Sequence, residues 1–114
     1  MEIGEERRGA ALVLSPQGRL DSTTAPEFEQ RVRARMAEGN RDFVIDLGAL
    51  DYVSSAGLWI FMIVGKALRA ERGHIVLCRL QEGVREVFRI SGFDRIFTIL
   101  PTVTASVAQI EADG

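Results

Sequence analysis

Two short apolar runs constrain the fold of this chain more than any other feature. They are "DFVIDL" at residues 42–47 and "HIVLCRL" at residues 74–80, and neither alternates regularly between apolar and polar positions. Strands with this pattern are buried on both faces, as in parallel sheets that helices cover. The runs therefore predict a mostly parallel sheet, with "DFVIDL" as a central strand.

The segments around these runs predict helices. Phe28, Val32 and Met36 recur at i, i+4 and i+8 behind Pro26, a residue that suits the first turn of a helix, and Gly39 ends the segment. Further helices are predicted from Ser55 to Glu71, over residues 84–91, and over residues 103–110 behind Pro101. Each is long enough to cross over a sheet from one strand to the next.

Three more strands complete the predicted fold. "EIGEERR" reads as a polar edge strand that pairs with "GAALVL" through a turn at Arg8 and Gly9, and "RIFTIL" (residues 95–100) reads as the last strand. The element order is β-β-α-β-α-β-α-β-α, with right-handed crossovers. The fold class is α/β, a small mixed and mostly parallel sheet with flanking helices. A chain of 114 residues holds one core, so residues 1–114 are expected to form a single domain.

The composition excludes several classes of function. The net charge is −2, so the sequence predicts no binding to nucleic acid. Cys78 is the only cysteine, which rules out an internal disulfide and a multi-cysteine zinc site and predicts a buried, inert thiol. His74 has no second His or Cys ligand in the sequence. No metal and no cofactor are expected.

The sequence also indicates where the protein acts. "MEIGEERRGA" lacks the apolar core of a secretory signal. The most apolar window, residues 58–64, is far shorter than the roughly 20 residues that cross a bilayer. We expect a cytoplasmic protein that is a monomer when free and does not insert directly into a membrane.

The segment "YVSSAGLW" (residues 52–59) places two serines between the central strand and a helix. Ligands and partners of parallel α/β folds bind beyond the carboxyl ends of the strands, where this loop begins. We expect Ser55 to be the N-cap of the helix, at a position where free amides favour an anion such as a phosphate. A purely structural cap is the alternative interpretation.

Gly57 and Trp59 each allow two interpretations. Glycine inside a helix is up to ~1 kcal/mol less favourable than alanine. A small residue at position 57 therefore serves either the close approach of a partner or close packing against the sheet. Trp59 is the only tryptophan, and it is either an anchor of an interface or a core residue.

Three elements, in order, are similar to the STAS domain of bacterial anti-sigma factor antagonists. They are "QGRLD" (residues 17–21), "VIDL" (residues 44–47) and "SSAGL" (residues 54–58), and the resemblance extends from about residue 2 to residue 110. It implies a serine that a partner kinase phosphorylates, which is Ser55 by position. The best-known members carry an aspartate where this chain has Ser54, and Ser54 is kept as the lesser alternative. Asp21 matches the aspartate of the first element, which the resemblance places near the serines; a helix cap is its other interpretation.

The resemblance implies partner switching by a protein that is not an enzyme. The unphosphorylated chain would bind an anti-sigma factor of the histidine-kinase-like ATPase type and so free a sigma factor. That partner, acting as a serine kinase, would phosphorylate Ser55, and a serine phosphatase would reverse the modification. The residues expected to bind the partner are Asp21, Ser54, Ser55, Gly57, Leu58 and Trp59.

Three other functions compete with this interpretation. STAS modules also serve as accessory subunits of lipid or anion transport systems, which would have a similar sequence. Ser55 as a catalytic nucleophile is disfavoured, because the chain has no G-x-S-x-G elbow and His74 heads a different strand. A receiver-like pocket is disfavoured because its lysine would have to be Lys66, deep in a predicted helix; its carboxylates would be Asp21, Asp46 and Asp51.

Overall fold

The computed structural model describes residues 1–113, which form seven strands, four α-helices and a short 3-10 helix. The strands are β1 (Ile3–Arg8), β2 (Ala11–Pro16), β3 (Gly18–Leu20), β4 (Asp42–Asp46), β5 (Leu50–Val53), β6 (His74–Cys78) and β7 (Thr98–Leu100). The helices are α1 (Ala25–Ala37), α2 (Ser55–Ala70), α3 (Glu82–Ser91) and α4 (Val103–Asp113), and a short 3-10 helix (Phe93–Arg95) follows α3. This architecture confirms the predicted α/β fold class.

The main sheet has five strands in the order β1-β2-β4-β6-β7. β1 pairs with β2 in the antiparallel sense, and all other neighbours are parallel. β4 is the central strand, as the apolar run predicts, and Val44 lies in register with Val13 on one side and Val76 on the other. The polar segment "EIGEERR" forms the edge of the sheet, which is also confirmed.

Helices cover the two faces of this sheet unequally. Phe43 and Ile45 of β4 enter the larger core, where Phe28 of α1, Phe61 of α2 and Phe88 of α3 meet. The ring of Phe61 lies 5.7 Å from that of Phe28 and 5.6 Å from that of Phe88, centroid to centroid. The opposite face carries a smaller core under α4 and includes Val44 and Ile110. The residues of β4 thus alternate between two cores, which explains the continuous apolar run.

A second, two-stranded sheet lies beside the main one and differs from the prediction. β3 and β5 pair in parallel, whereas the sequence pattern predicts a loop before Ser54. Leu50 and Val53 of β5 are buried, and so is Leu20 of β3. Strands of three and four residues are too short to show a hydrophobic period, so the pattern gave no signal for them.

The last predicted strand is also shorter than expected. "RIFTIL" was predicted as a strand over residues 95–100, but β7 begins only at Thr98. Gly92 ends α3 in the left-handed region, at a φ of 80°, and a 3-10 turn follows it. This turn directs Phe97 into the larger core, 6.4 Å from the ring of Phe61. Tertiary packing of this phenylalanine therefore overrides the local strand pattern.

Cys78 is buried, as predicted, and it lies at the end of β6 in the smaller core. The acidity of its thiol follows from that burial. Burial raises the pKa of the Cys78 thiol to about 11. The thiolate, which is the reactive form, is therefore scarce at neutral pH.

We expect Cys78 to react slowly with a disulfide reagent such as DTNB at pH 8 in the native protein and rapidly in 6 M guanidinium chloride. The native thiol is both protonated and enclosed, whereas unfolding restores its ordinary acidity. The melting temperature should not change with reducing agent. Rapid labelling of the native protein, or disulfide-linked dimers, would contradict this prediction.

Candidate functional site

The candidate site lies where β3 and β5 end and α2 begins. Leu20 and Val53 are register partners in the two-stranded sheet, and the backbone N–H of Ser54 donates to the carbonyl oxygen of Leu20 at 2.9 Å. This hydrogen bond joins the residue before Asp21 to the residue before Ser55. The structure thereby brings together two of the three elements that carry the resemblance, residues 17–21 and residues 54–58.

The two serines have different positions on the helix, and the N-cap prediction is corrected. Ser54, not Ser55, is the N-cap of α2: its backbone is extended, with φ −89° and ψ 175°, and its Oγ accepts from the N–H of Gly57 at 3.2 Å. Ser55 is the first helical residue and is exposed. The hydroxyl of Ser54 is used within the fold, and that of Ser55 faces solvent.

Gly57 and Leu58, two of the residues expected to bind a partner, lie inside the fold of the free chain. Both residues are buried. A Cβ atom at position 57 would stand 2.2 Å from the carbonyl oxygen of Leu20, so this glycine lets the helix approach β3. The close-packing interpretation is the one that the structure supports, and Leu58 is part of the larger core.

Asp21 holds the turn that leads into α1. Its Oδ1 accepts from the backbone N–H groups of Thr23 at 3.0 Å and Thr24 at 3.1 Å. The hydrogen bond from Thr24 is the main cause that lowers the pKa of the Asp21 carboxyl below its usual value. The N-cap of α1 is Thr24, so Asp21 is not the cap itself. It presents an ionised carboxylate beside the N-terminal end of α2.

An arginine and a tyrosine that the sequence analysis did not select lie next to these residues. Arg19 and Tyr52 are register partners, and the guanidinium carbon of Arg19 lies 4.0 Å from the centroid of the Tyr52 ring. Arg19 Nε is 3.8 Å from Asp21 Oδ2. Arg19 and Tyr52 come together only through the pairing of β3 with β5, and strands of three and four residues carry no hydrophobic period that indicates this pairing.

Trp59 is the exposed member of an aromatic cluster. Its side chain is 58% exposed, so the interpretation of Trp59 as a core residue is wrong. Its ring lies 6.4 Å from that of Phe93, which in turn lies 6.5 Å from Phe88 and 6.2 Å from Phe97. Trp59 follows Ser55 by one helical turn, and it therefore presents an apolar surface on the side of α2 that also carries this serine.

The remaining polar residues considered in the sequence do not form a receiver-like pocket. The carboxylate of Asp46 is bound by Arg79 at 2.9 Å and by the N–H of Gly48 at 2.9 Å. His74 Nδ1 lies 2.8 Å from Asp42 Oδ1, at the opposite end of the sheet. Within residues 1–113, no group of three or more His, Cys, Asp or Glu residues is placed to hold a metal ion. Over the same residues, no helix is long and apolar enough to span a bilayer.

The fold and the site define a small α/β protein with a mostly parallel main sheet, helices on both faces and an exposed serine at the start of the helix that follows β5. The chain belongs to the STAS domain family, whose family model matches residues 3–106.

Relatives and solved structures agree with this assignment. A relative from Bordetella bronchiseptica that carries the name anti-sigma factor antagonist BtrV is 41% identical over 108 residues, covering 95% of this chain and 93% of the relative. The crystal structure of an anti-sigma factor antagonist from Mycobacterium paratuberculosis superposes with a TM-score of 0.86 at 27% identity, covering 96% of this chain and 93% of that one. The Bacillus cell fate determinant SpoIIAA in its phosphorylated form shares the fold, with a TM-score of 0.72 at 17% identity and coverage of 96% and 99%.

The contact between Gly57 and Leu20 predicts that one methyl group added at position 57 destabilises the fold. Gly57→Ala should lower the free energy of unfolding by roughly 1–3 kcal/mol, because the new Cβ overlaps a backbone oxygen that cannot move alone. Gly83→Ala is the matched control: this helical glycine has open space around the Cβ position, so alanine should be neutral or stabilise by up to ~1 kcal/mol. Urea unfolding measures both. Equal stability of the two variants would contradict the packing role of Gly57.

Proposed function

We propose that this chain is an anti-sigma factor antagonist that binds an anti-sigma factor through the surface around Ser55. The observation that carries the proposal is the exposed hydroxyl of Ser55 on the first turn of α2, with an exposed tryptophan one turn further on. The name of the Bordetella relative supports it, since that relative and this chain align over nearly their whole lengths. The serine surface, as we define it, consists of Asp21, Ser54, Ser55 and Trp59.

The proposed partner is an anti-sigma factor of the histidine-kinase-like ATPase type that also acts as a serine kinase. In that reaction the γ-phosphoryl group of ATP is transferred to Ser55 Oγ. An Oγ–P bond forms, the bond between the β- and γ-phosphates breaks, ADP leaves, and the hydroxyl proton passes to a base of the partner. A serine phosphatase hydrolyses the phosphoserine and restores the hydroxyl. The chain is the substrate of both reactions and supplies no catalytic group.

Ser55 is favoured over Ser54 as the acceptor because of their different surroundings. Ser54 Oγ accepts a hydrogen bond from Gly57, and modification would remove the cap of α2. Ser55 is exposed, and the backbone N–H groups at the start of a helix favour a negative charge. A phosphate on Ser55 therefore leaves the fold intact.

The loss of partner binding follows from the added charge. A phosphate adds about −1.5 to −2 charges at neutral pH. It would join the ionised carboxylate of Asp21 near the start of α2. An interface closed over these groups would have to desolvate several negative charges together, which is strongly unfavourable. We propose that this switch operates in the cytoplasm and that the free domain is a monomer.

The alternative role, an accessory subunit of a lipid or anion transport system, uses the same fold. The names of the relatives favour the antagonist. Incubation with candidate ATPase-type partners and ATP separates the two functions, because the accessory role requires no phosphorylation.

Substitution of the serines tests the acceptor. Ser55→Ala should abolish the 80 Da mass increase that appears with partner and ATP, while retaining partner binding, because it removes one exposed hydroxyl. Ser54→Ala is the matched control: it should still be modified, and lose about 1 kcal/mol of stability with the cap. Ser55→Asp should bind the partner poorly. Intact-mass spectrometry with peptide mapping, and calorimetric titration of the partner, measure these results.

A phosphate mapped to Ser54, or a Ser55→Ala variant that is modified like the parent, would show that the assignment of the serine is wrong. Absence of any modification with every ATPase-type partner would favour the transport role.

Trp59 tests the apolar part of the serine surface. Trp59→Ala should weaken partner binding by at least tenfold, because an exposed tryptophan held on an aromatic support is typical of an interface hot spot. Ile96→Ala is the control, because it removes another exposed apolar side chain. Ile96 lies near Gly65, which is ten residues or about 15 Å further along α2 than Ser55, so affinity should be unchanged. Calorimetric titration measures both. Similar affinities for the two variants would exclude Trp59 from the interface.

A further inference from the structure

Arg19 is the one basic residue in the segments that build the serine surface. Residues 18–24 contain no other Lys or Arg, and residues 42–65 contain none at all. The carboxylates of Asp21 and Asp51 lie in the same segments. The pairing of β3 with β5 places Arg19 and Asp21 near the start of α2, whereas Arg85 and Arg89 belong to α3, which packs against β5, and Arg89 is paired with Glu86 on its own helix.

The present contacts of Arg19 are weak enough to be exchanged. Its side chain is 61% exposed, and the 3.8 Å between Nε and Asp21 Oδ2 is longer than a hydrogen bond. Asp21 Oδ1 is already occupied by two backbone N–H groups. The guanidinium also lies over the face of Tyr52, 4.0 Å from the ring centroid, and a cation–π contact at an exposed site is weak. A doubly charged phosphate competes well against these contacts.

The strand register brings Arg19 within reach of Ser55. Arg19 pairs with Tyr52, and the backbone of Ser54 is hydrogen-bonded to Leu20, the residue after Arg19. Ser55 follows Tyr52 by three residues, a span of at most about 11 Å. The guanidinium already extends over Tyr52, and rotation about its side-chain torsions carries it along β5 toward the start of α2.

We propose that Arg19 is the intramolecular receptor for a phosphate on Ser55, a role that rests on the proposed phosphorylation of this serine. The guanidinium leaves the Tyr52 ring and forms a charge-assisted, bidentate pair with two phosphate oxygens. Phosphorylation then changes the serine surface in two ways: it adds negative charge, and it uncovers the ring of Tyr52. A carboxylate at position 55 reproduces the first change and only part of the second.

The test uses protein in which phosphoserine is incorporated at position 55 during synthesis, so no kinase is required. ³¹P NMR titration gives the second pKa of the phosphate, which is about 6 without a partner. Arg19→Ala should raise this pKa by roughly half a pH unit, because an arginine stabilises the doubly charged form. Arg19→Lys should lie between the parent and the alanine variant, because lysine keeps the charge but loses the planar fork.

Arg33→Ala is the matched control. Arg33 is a similarly exposed arginine, paired with Glu29 on the same helix, α1. Its removal should leave the phosphate pKa unchanged. The amides of the first turn of α2 act equally in all variants, so the difference between Arg19→Ala and the parent isolates the arginine. Melting temperatures of all variants verify that the fold is retained.

The ring protons of Tyr52 provide a second readout. Phosphorylation should shift them in the parent and in Arg33→Ala, and much less in Arg19→Ala, because only the first two proteins lose a guanidinium from the ring. An unchanged phosphate pKa in Arg19→Ala would overturn the receptor role and leave the proposed function untouched. Failure of every kinase to modify Ser55 would remove the proposed function, and the pKa comparison would still decide the role of Arg19.

Discussion

The first turn of α2 lies directly against the backbone of β3, and the serine surface depends on this contact. The carbonyl oxygen of Leu20 accepts from the N–H of Ser54 at 2.9 Å, and a Cβ at Gly57 would stand 2.2 Å from the same oxygen. Glycine alone permits this approach. Its helix penalty of up to ~1 kcal/mol is therefore offset within the fold, by hydrogen bonding and packing, and no partner is needed to explain it.

This contact separates the roles of two adjacent serines. Once Ser54 is bound to Leu20 in an extended conformation, its side chain is placed to accept from the free N–H of Gly57 and to cap the helix. Ser55 then starts the helix with its side chain in solvent. A hydroxyl used as a cap stabilises the fold, whereas an exposed one can be modified at little cost to stability. The position of the exposed serine, which we propose as the acceptor, thus follows from the packing of one glycine.

The longer elements of this fold are predictable from sequence, and the finer arrangement of the site is not. Uninterrupted apolar runs identified the central strands because β4 faces two cores. β3 and β5 were missed, since three or four residues show no period, and with them the pairing of Arg19 with Tyr52. The N-cap is Ser54 and not the predicted Ser55, because nothing in the sequence pattern distinguishes two neighbouring serines. Only the backbone contact with Leu20 distinguishes them.

The rigidity of α2 determines how a phosphate could act. The helix is anchored by Phe61, whose ring packs between those of Phe28 and Phe88, so its N-terminal end is fixed relative to the sheet. Negative charge at this end interacts favourably with the helix dipole, and the modified domain keeps its stability. In the switch that we propose, the added charge instead destabilises the complex with the partner, where water is excluded and Asp21 is already ionised. A covalent change at one exposed atom can in this way control association while the fold stays unchanged.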